Sequence, residues 1–301
     1  MKILLSISAF LVPTIMLACN SCGCFIGSGI SGLNLQNNKY MVRYNTQFRN
    51  FHTTHPADDD YVLERHTKEQ FWSHSLEVTR MIKPWLLASV GVNAANNAFE
   101  EDGAINRFNG LSSVNVAFSF QKLLKSYENG NNVYGLAKVN YALPVGEYKG
   151  NANNDAFSES MYSSTGSSAY SMSAQLLYNR QKTLYYSQVN VTLNGETPDN
   201  YQFGSAINIS LGSALDAVQF ANNKTVIVGL ETGLYHSYAN QYFGKTLPDN
   251  NGTYSVLVPQ LGYKTERISV LLRKAVVVQQ NIGSGNTQLK NQLEFNLTIK
   301  I

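Results

Sequence analysis

Three thiols are the first residues in this chain that could do chemistry. Cys19, Cys22 and Cys24 fall within six residues, in the stretch MLACNSCGCF, and no cysteine follows among the 301 residues. Thiolates at this spacing are soft ligands suited to copper(I) or zinc. A cysteine directly behind Ala18, at the end of a short apolar segment, is also where a lipid-bearing N-terminus would stand. That modification of Cys19 would leave Cys22 and Cys24 as the metal-binding pair. A Cys19–Cys22 disulfide in an oxidising compartment is the third reading, whereas a Cys22–Cys24 bridge would close a small, strained ring. No other cofactor is suggested.

The remaining reactive side chains form no compact constellation. His52, His55 and His66, near the Asp58-Asp59-Asp60 run, are spread along a polar segment without helical ligand spacing, and read as solvated loop residues. The chain has no Gly-x-Ser-x-Gly elbow, and Gly27-Ser28-Gly29 is not followed by the Lys-Ser/Thr of a phosphate loop. A non-enzyme is expected, with a barrel enzyme as a remote alternative. Charged residues make up 14% of the chain and the net charge is +3, so no nucleic-acid surface is indicated.

The elements that must position these residues begin with an export signal. MKILLSISAFLVPTIMLA has a basic start, a short apolar core and a small residue at its end. Ser6, Ser8 and Pro13 interrupt that core, which is too short to span a bilayer comfortably. No later segment approaches eighteen apolar residues, so any membrane-embedded part must be a closed β-barrel. The expected organisation is a signal peptide at 1–18, a Cys-containing tail at 19–37 and an outer-membrane barrel at 38–301.

The dominant period after residue 38 is two. Tyr40, Val42, Tyr44, Thr46 and Phe48 alternate with Met41, Arg43, Asn45, Gln47 and Arg49, placing the two sets on opposite faces of a strand. Twelve such segments can be counted, most of ten to fourteen residues. Soluble strands average five or six residues, while a tilted membrane-spanning strand needs about nine to eleven. The fold expected is therefore an all-β, antiparallel transmembrane barrel of about twelve strands. The phase points Arg43, Arg49, Glu77, Lys138, Glu231, Glu294 and Lys300 into the lumen. There they are candidate selectivity residues, with a constriction set by Arg43, Glu77, Lys138 and Glu231. Tyr40, Tyr44, Phe48, Trp72, Phe118 and Phe120 point outward as an interfacial girdle. Gly91, Gly135, Gly229, Gly233 and Pro259 are candidate strand kinks.

Long and short connections mostly alternate. Lys83-Pro84 and Gln181-Lys182 are tight, whereas Asn96–Gly110, Pro144–Ser167 and Ala239–Gly252 are long. This puts the N-terminus on the short-turn, periplasmic side. Two connections break the rule: Gly195–Asn200 is short for a loop and Ser213–Asn223 long for a turn.

Several short motifs recur in an order that carries a resemblance. They are the cysteine segment, Phe48-Arg49-Asn50-Phe51, Glu64-Arg65-His66-Thr67 with Phe71-Trp72, Phe108-Asn109-Gly110-Leu111, Leu143-Pro144-Val145-Gly146 and Tyr201-Gln202-Phe203-Gly204. Together they resemble the outer-membrane transporter-like barrels of Bacteroidetes, a family related to the MetA-type proteins named for a phenol-degradation pathway. Ser112-Ser113 stands where that family carries Gly-Asp. The resemblance implies passive passage of small molecules, with hydrophobic or aromatic compounds as the suggested class. The alternative is a non-transporting surface barrel that binds a partner through the Pro144–Ser167 loop. Expected partners are outer-membrane lipids, a small solute, and the barrel assembly machinery that would read the terminal strand ending at Ile301.

Overall fold

Alternation sustained over a dozen or more residues forms a strand long enough to cross a bilayer, and each such segment here does so. The computed structural model describes residues 40–55, 64–146, 148, 161–220, 224–247 and 251–301. Cys19, Cys22 and Cys24 lie outside them. Strands β1 (Tyr40–His55), β2 (Arg65–Lys83), β3 (Leu86–Glu101), β4 (Ala104–Ser126), β5 (Asn132–Pro144), β6 (Ala169–Arg180) and β7 (Thr183–Asn194) are successive antiparallel neighbours. Then come β8 (Tyr201–Gln202), β9 (Ala206–Phe220), β10 (Lys224–Ser237), β11 (Gln241–Tyr242), β12 (Lys245–Thr246), β13 (Gly252–Lys264), β14 (Ile268–Ile282) and β15 (Thr287–Lys300).

Twelve of these close into one barrel, and β15 returns to β1 in register from Met41↔Lys300 to Thr53↔Thr287. Closure leaves no sheet edge, which is how a strand structure satisfies its backbone in lipid. The short β8, β11 and β12 form a separate sheet. It lies at the end of the barrel that carries the long loops, where Tyr201 of β8 and Phe203 are buried against Leu247.

The outward face is apolar between two aromatic levels. At the turn end, cations stand over rings: Arg80 over Tyr40 at 5.6 Å, Lys83 over Trp85 at 5.5 Å and Lys125 over Tyr127 at 4.6 Å. At the other level Phe48 and Trp72 pack at 4.7 Å. Tyr40 and Phe48 are eight residues apart, about 26 Å along the strand before tilt. At a strand tilt of about 40° this spans roughly 20 Å of depth, most of the ~25 Å apolar band of a transmembrane barrel. Leu76, Val90, Val116 and Leu211 are exposed in this band, and Phe118 and Phe120 face outward with them.

Several connections are shorter than the sequence suggested, because strands run on past the apolar band. The expected long loop Asn96–Gly110 is strand up to Glu101 and again from Ala104, joined by a turn at Asp102-Gly103. Both turn residues have positive φ, 49° and 81°. Asp-Gly favours this two-residue hairpin turn. Polar residues on the outward face had disguised these extensions as loop. Likewise β9 continues to Phe220, so the connection that seemed too long for a turn is reduced to residues 221–223. The connection that seemed short for a loop is folded, through β8, into the accessory sheet.

The glycine kinks are not observed. Gly91, Gly135, Gly229 and Gly233 stay in continuous register with both neighbouring strands. Bulges occur elsewhere, among them the steps at Asn50/Phe51 and Asn93/Ala94. Pro259 does interrupt a ladder: pairing of β13 with β14 passes from Leu257↔Val276 to Gln260↔Arg273. Proline has no N–H to donate there.

The outward band predicts a depth-dependent response on a single strand. Leu76→Arg, midway between Trp72 and Arg80 on β2, should destabilise the barrel by about 2–4 kcal/mol, and Gln70→Arg, beyond the Trp72 level, by about 0–1 kcal/mol. Urea unfolding in phospholipid vesicles, followed by tryptophan fluorescence, measures the difference.

Candidate functional site: the barrel lumen

Inward residues of β1 and β2 meet in register, and this builds the first charged group. Arg43 stands opposite Glu77, with Nη1 3.7 Å from Oε1. Lys138 on β5 reaches across the lumen to place Nζ 2.8 Å from Glu77 Oε2. The Thr79 hydroxyl donates to Glu77 Oε1 at 3.2 Å. These groups line a cavity of about 320 Å³, whose wall is otherwise largely uncharged and mixed: Ser75, Asn93, Asn115, Asn140, Gln188 and Thr192 contribute to it beside Met41, Leu87 and Leu136. The volume lies at the lower end of the range for small-molecule sites.

The second group lies on the β10–β15 side of the barrel, next to β1. Arg273 on β14 has Nη2 2.6 Å from Glu231 Oε1 on β10 and Nη1 2.6 Å from Glu294 Oε2 on β15. Asn45 and Asn296 donate to Glu294 Oε1 at 2.9 and 2.7 Å. Tyr186 donates its hydroxyl proton to Glu231 Oε2 at 2.7 Å, and Gln260 Nε2 donates to the Tyr186 oxygen at 2.7 Å. Tyr186 reaches Glu231 across the intervening β9 because Gly212 lies beneath its ring. A Cβ at Gly212 would come within 2.3 Å of Tyr186 Cζ.

All seven residues expected in the lumen lie on the inward phase of their strands, but the four expected to set one constriction do not stand together. Glu231 belongs with Arg273 and Glu294, away from Arg43, Glu77 and Lys138. Fixing the faces of the strands did not fix which strands stand opposite one another. Arg273, the centre of the second group, was missed by the sequence reading. It sits in the apolar run Val270-Leu271-Leu272-Arg273-Lys274-Ala275-Val276, where alternation fails because inward neighbours are apolar too. Leu271 and Ala275, two residues to either side of Arg273, are buried. Lys300 is at the turn end of the lumen, beyond both groups. The histidines do not converge: His55 contacts Thr67, and His66 contacts Thr54 and Glu64. Among the described residues no cluster could hold a metal.

Toward the loop end, an apolar cluster fills part of the lumen. Met161, fully buried, packs with inward-facing Phe51, Phe71, Phe99, Ile282 and Leu289. Asn97 Nδ2 donates to the carbonyls of Met161 and Tyr162 at 3.1 and 3.3 Å, fixing this segment inside the wall. Two stretches singled out in the sequence anchor its flanks. The Ser112 carbonyl, at a bulge in β4, accepts from Val145 N at 3.2 Å and from Ser164 Oγ at 3.0 Å. Gly146 passes so near β4 that a Cβ would overlap the Leu111 carbonyl oxygen.

Removing Arg273 tests the second group. Arg273→Met should cost roughly 3–5 kcal/mol, because two buried carboxylates lose their counter-charge. Adding Glu231→Gln and Glu294→Gln should recover much of that loss. Chemical denaturation of the single and triple variants in detergent micelles provides the comparison.

No family profile matches this chain, and no curated protein matches it in sequence. Among solved structures it is similar to an outer membrane channel from Pseudomonas putida F1, with a TM-score of 0.64 and 9% identity over 90% of this chain and 98% of that one. The translocator domain of autotransporter NalP from Neisseria meningitidis gives a TM-score of 0.45 at 9% identity, covering 90% and 91%. The TodX monoaromatic hydrocarbon channel gives 0.39 at 10%, covering 87% and 88%. What the first likeness shows is the fold: the chain shares the barrel architecture of an outer-membrane channel.

Proposed function

We propose that this protein is a passive channel for small solutes in the bacterial outer membrane, with its N-terminus on the periplasmic side. One observation carries the proposal. A cavity of about 320 Å³, lined by polar residues interspersed with apolar ones such as Met41, Phe71 and Leu136, lies inside a barrel whose outer surface is apolar. A barrel serving only as a surface scaffold needs no such space, and its lumen could be packed throughout, as β10, β13 and β14 pack Tyr235, Val256, Val258 and Ala275. The Bacteroidetes transporter-like family is the finer assignment, supported by the motif order and by the channel fold.

The surface-binding alternative relies on the connection between β5 and β6. Of its described residues, Met161 to Ser167 pack into or line the barrel mouth, whereas Val145 is exposed. At the N-terminus we assign Cys19 as the lipid-bearing residue, with Cys22 and Cys24 left to a soft metal. Mass spectrometry of the mature protein should find an acylated Cys19; an unmodified N-terminus there would remove the assignment.

The channel reading is tested in proteoliposomes and planar bilayers. The wild-type protein should pass ions and small sugars slowly, and Met161→Ser, which loosens the apolar cluster, should raise single-channel conductance at least about twofold. Absence of any permeability in both proteins would favour the surface-binding barrel.

A further inference from the structure

Seven charged residues face the lumen between the apolar cluster and the turn-end rim: Arg43, Arg49, Lys138 and Arg273 against Glu77, Glu231 and Glu294. Each carboxylate is already engaged. Glu77 takes Arg43 and Lys138, and Glu231 and Glu294 share Arg273. The excess cation is Arg49. It is only 7% exposed, lines the cavity, and has no carboxylate within ion-pair distance among the described residues. Its Nη2 is buried without a hydrogen-bond partner. The flanking amides do not supply one, since the side-chain oxygens of Gln47 and Gln292 are also unpartnered.

A guanidinium is charged at any physiological pH and presents a planar fork of donors that matches a carboxylate. Burying one without a counter-charge is costly unless something else solvates it. On the cavity side the balance is Arg43, Arg49 and Lys138 against Glu77 alone, so the field there favours an anion. The surroundings of Arg49 add a second requirement. Phe71, opposite it on β2, is an apolar part of the cavity wall and belongs to the apolar cluster, and Tyr162 lines the same space.

We infer that Arg49 and the aromatic wall beside it form a binding subsite for a small aromatic carboxylate, with the carboxylate on the guanidinium and the ring against Phe71 and Tyr162. The inference rests on the channel reading of the lumen and names its solute class. It also joins the aromatic expectation to the mixed cavity: the solute has an apolar body and one anionic head.

The test uses benzoate as probe on the full-length protein. Isothermal titration in a non-ionic detergent should show benzoate binding that weakens at least tenfold in Arg49→Gln, about 1.4 kcal/mol. Arg49→Lys, which keeps the charge but loses the fork, should retain part of it. Benzyl alcohol, lacking the anion, and acetate, lacking the ring, should each bind more weakly than benzoate. In planar bilayers a potassium chloride gradient should give an anion-selective reversal potential in wild type that moves toward zero in Arg49→Gln. Equal benzoate binding by wild type and a folded Arg49→Gln, verified by heat-modifiable gel migration, would overturn the subsite. Acetate binding as tightly as benzoate would overturn the aromatic class. A wild-type protein that binds benzoate but conducts nothing would instead sink the channel reading and leave the subsite standing.

Discussion

The guanidinium of Arg273, held between Glu231 and Glu294, is the interaction on which the rest of the lumen depends. Its partners and theirs lie on six of the twelve barrel strands: Asn45 on β1, Tyr186 on β7, Glu231 on β10, Gln260 on β13, Arg273 itself on β14, and Glu294 with Asn296 on β15. A buried charge shared among well-placed partners is tolerable, whereas the same charge with a partner missing is not. The network therefore acts as a unit. It draws the side chains of one wall together, and Gly212 is the concession that lets Tyr186 cross a strand to join it.

Once that half of the lumen is filled, the space left over must lie along the other half. The cavity is lined from β1 through β7, and its walls are mainly hydroxyls, amides and small residues. Neutral short side chains leave room and hold water without imposing a strong field. The field instead comes from a few placed charges, Arg43, Glu77, Lys138 and Arg49. The barrel is thus asymmetric in its packing: one side is filled core, and the other borders the cavity.

Much of this was legible in the sequence because the two faces of a membrane strand obey opposite solvents. Lipid outside and a polar lumen inside force the alternation that revealed the twelve strands and the inward phase of Arg43, Glu77 and Lys138. The same logic explains the failures. On β14 the inward neighbours of Arg273 are apolar, so the two faces look alike and the period disappears. Beyond the girdle the outward faces of β3 and β4 meet water, and their polar residues make strand there read as loop even though Asn97 and Phe99 are buried on the inward face of β3; only the Asp102-Gly103 turn signalled the hairpin. Which inward residues meet across the lumen depends on strand order around the closure, and a period of two says nothing about that. The placement of Met161 was equally hidden, because a buried loop methionine has no periodic neighbours to mark it.

The two filled regions of the lumen differ in the kind of interaction that holds them, and this determines where the lumen can widen. Opening the Arg273 side would strip counter-charges from buried carboxylates while also breaking the bonds of Tyr186 and Asn45. Each bare buried charge costs several kcal/mol, so that wall stays shut on any functional timescale. Withdrawing Met161 exposes apolar surface and releases the two hydrogen bonds from Asn97, and water can immediately replace the latter. Hydrogen bonds exchanged for water cost about 1 kcal/mol each, and the freed loop regains conformational entropy. Under the channel proposal, passage is therefore controlled at the loop-end cluster around Met161, with the charged network as the fixed wall beside it.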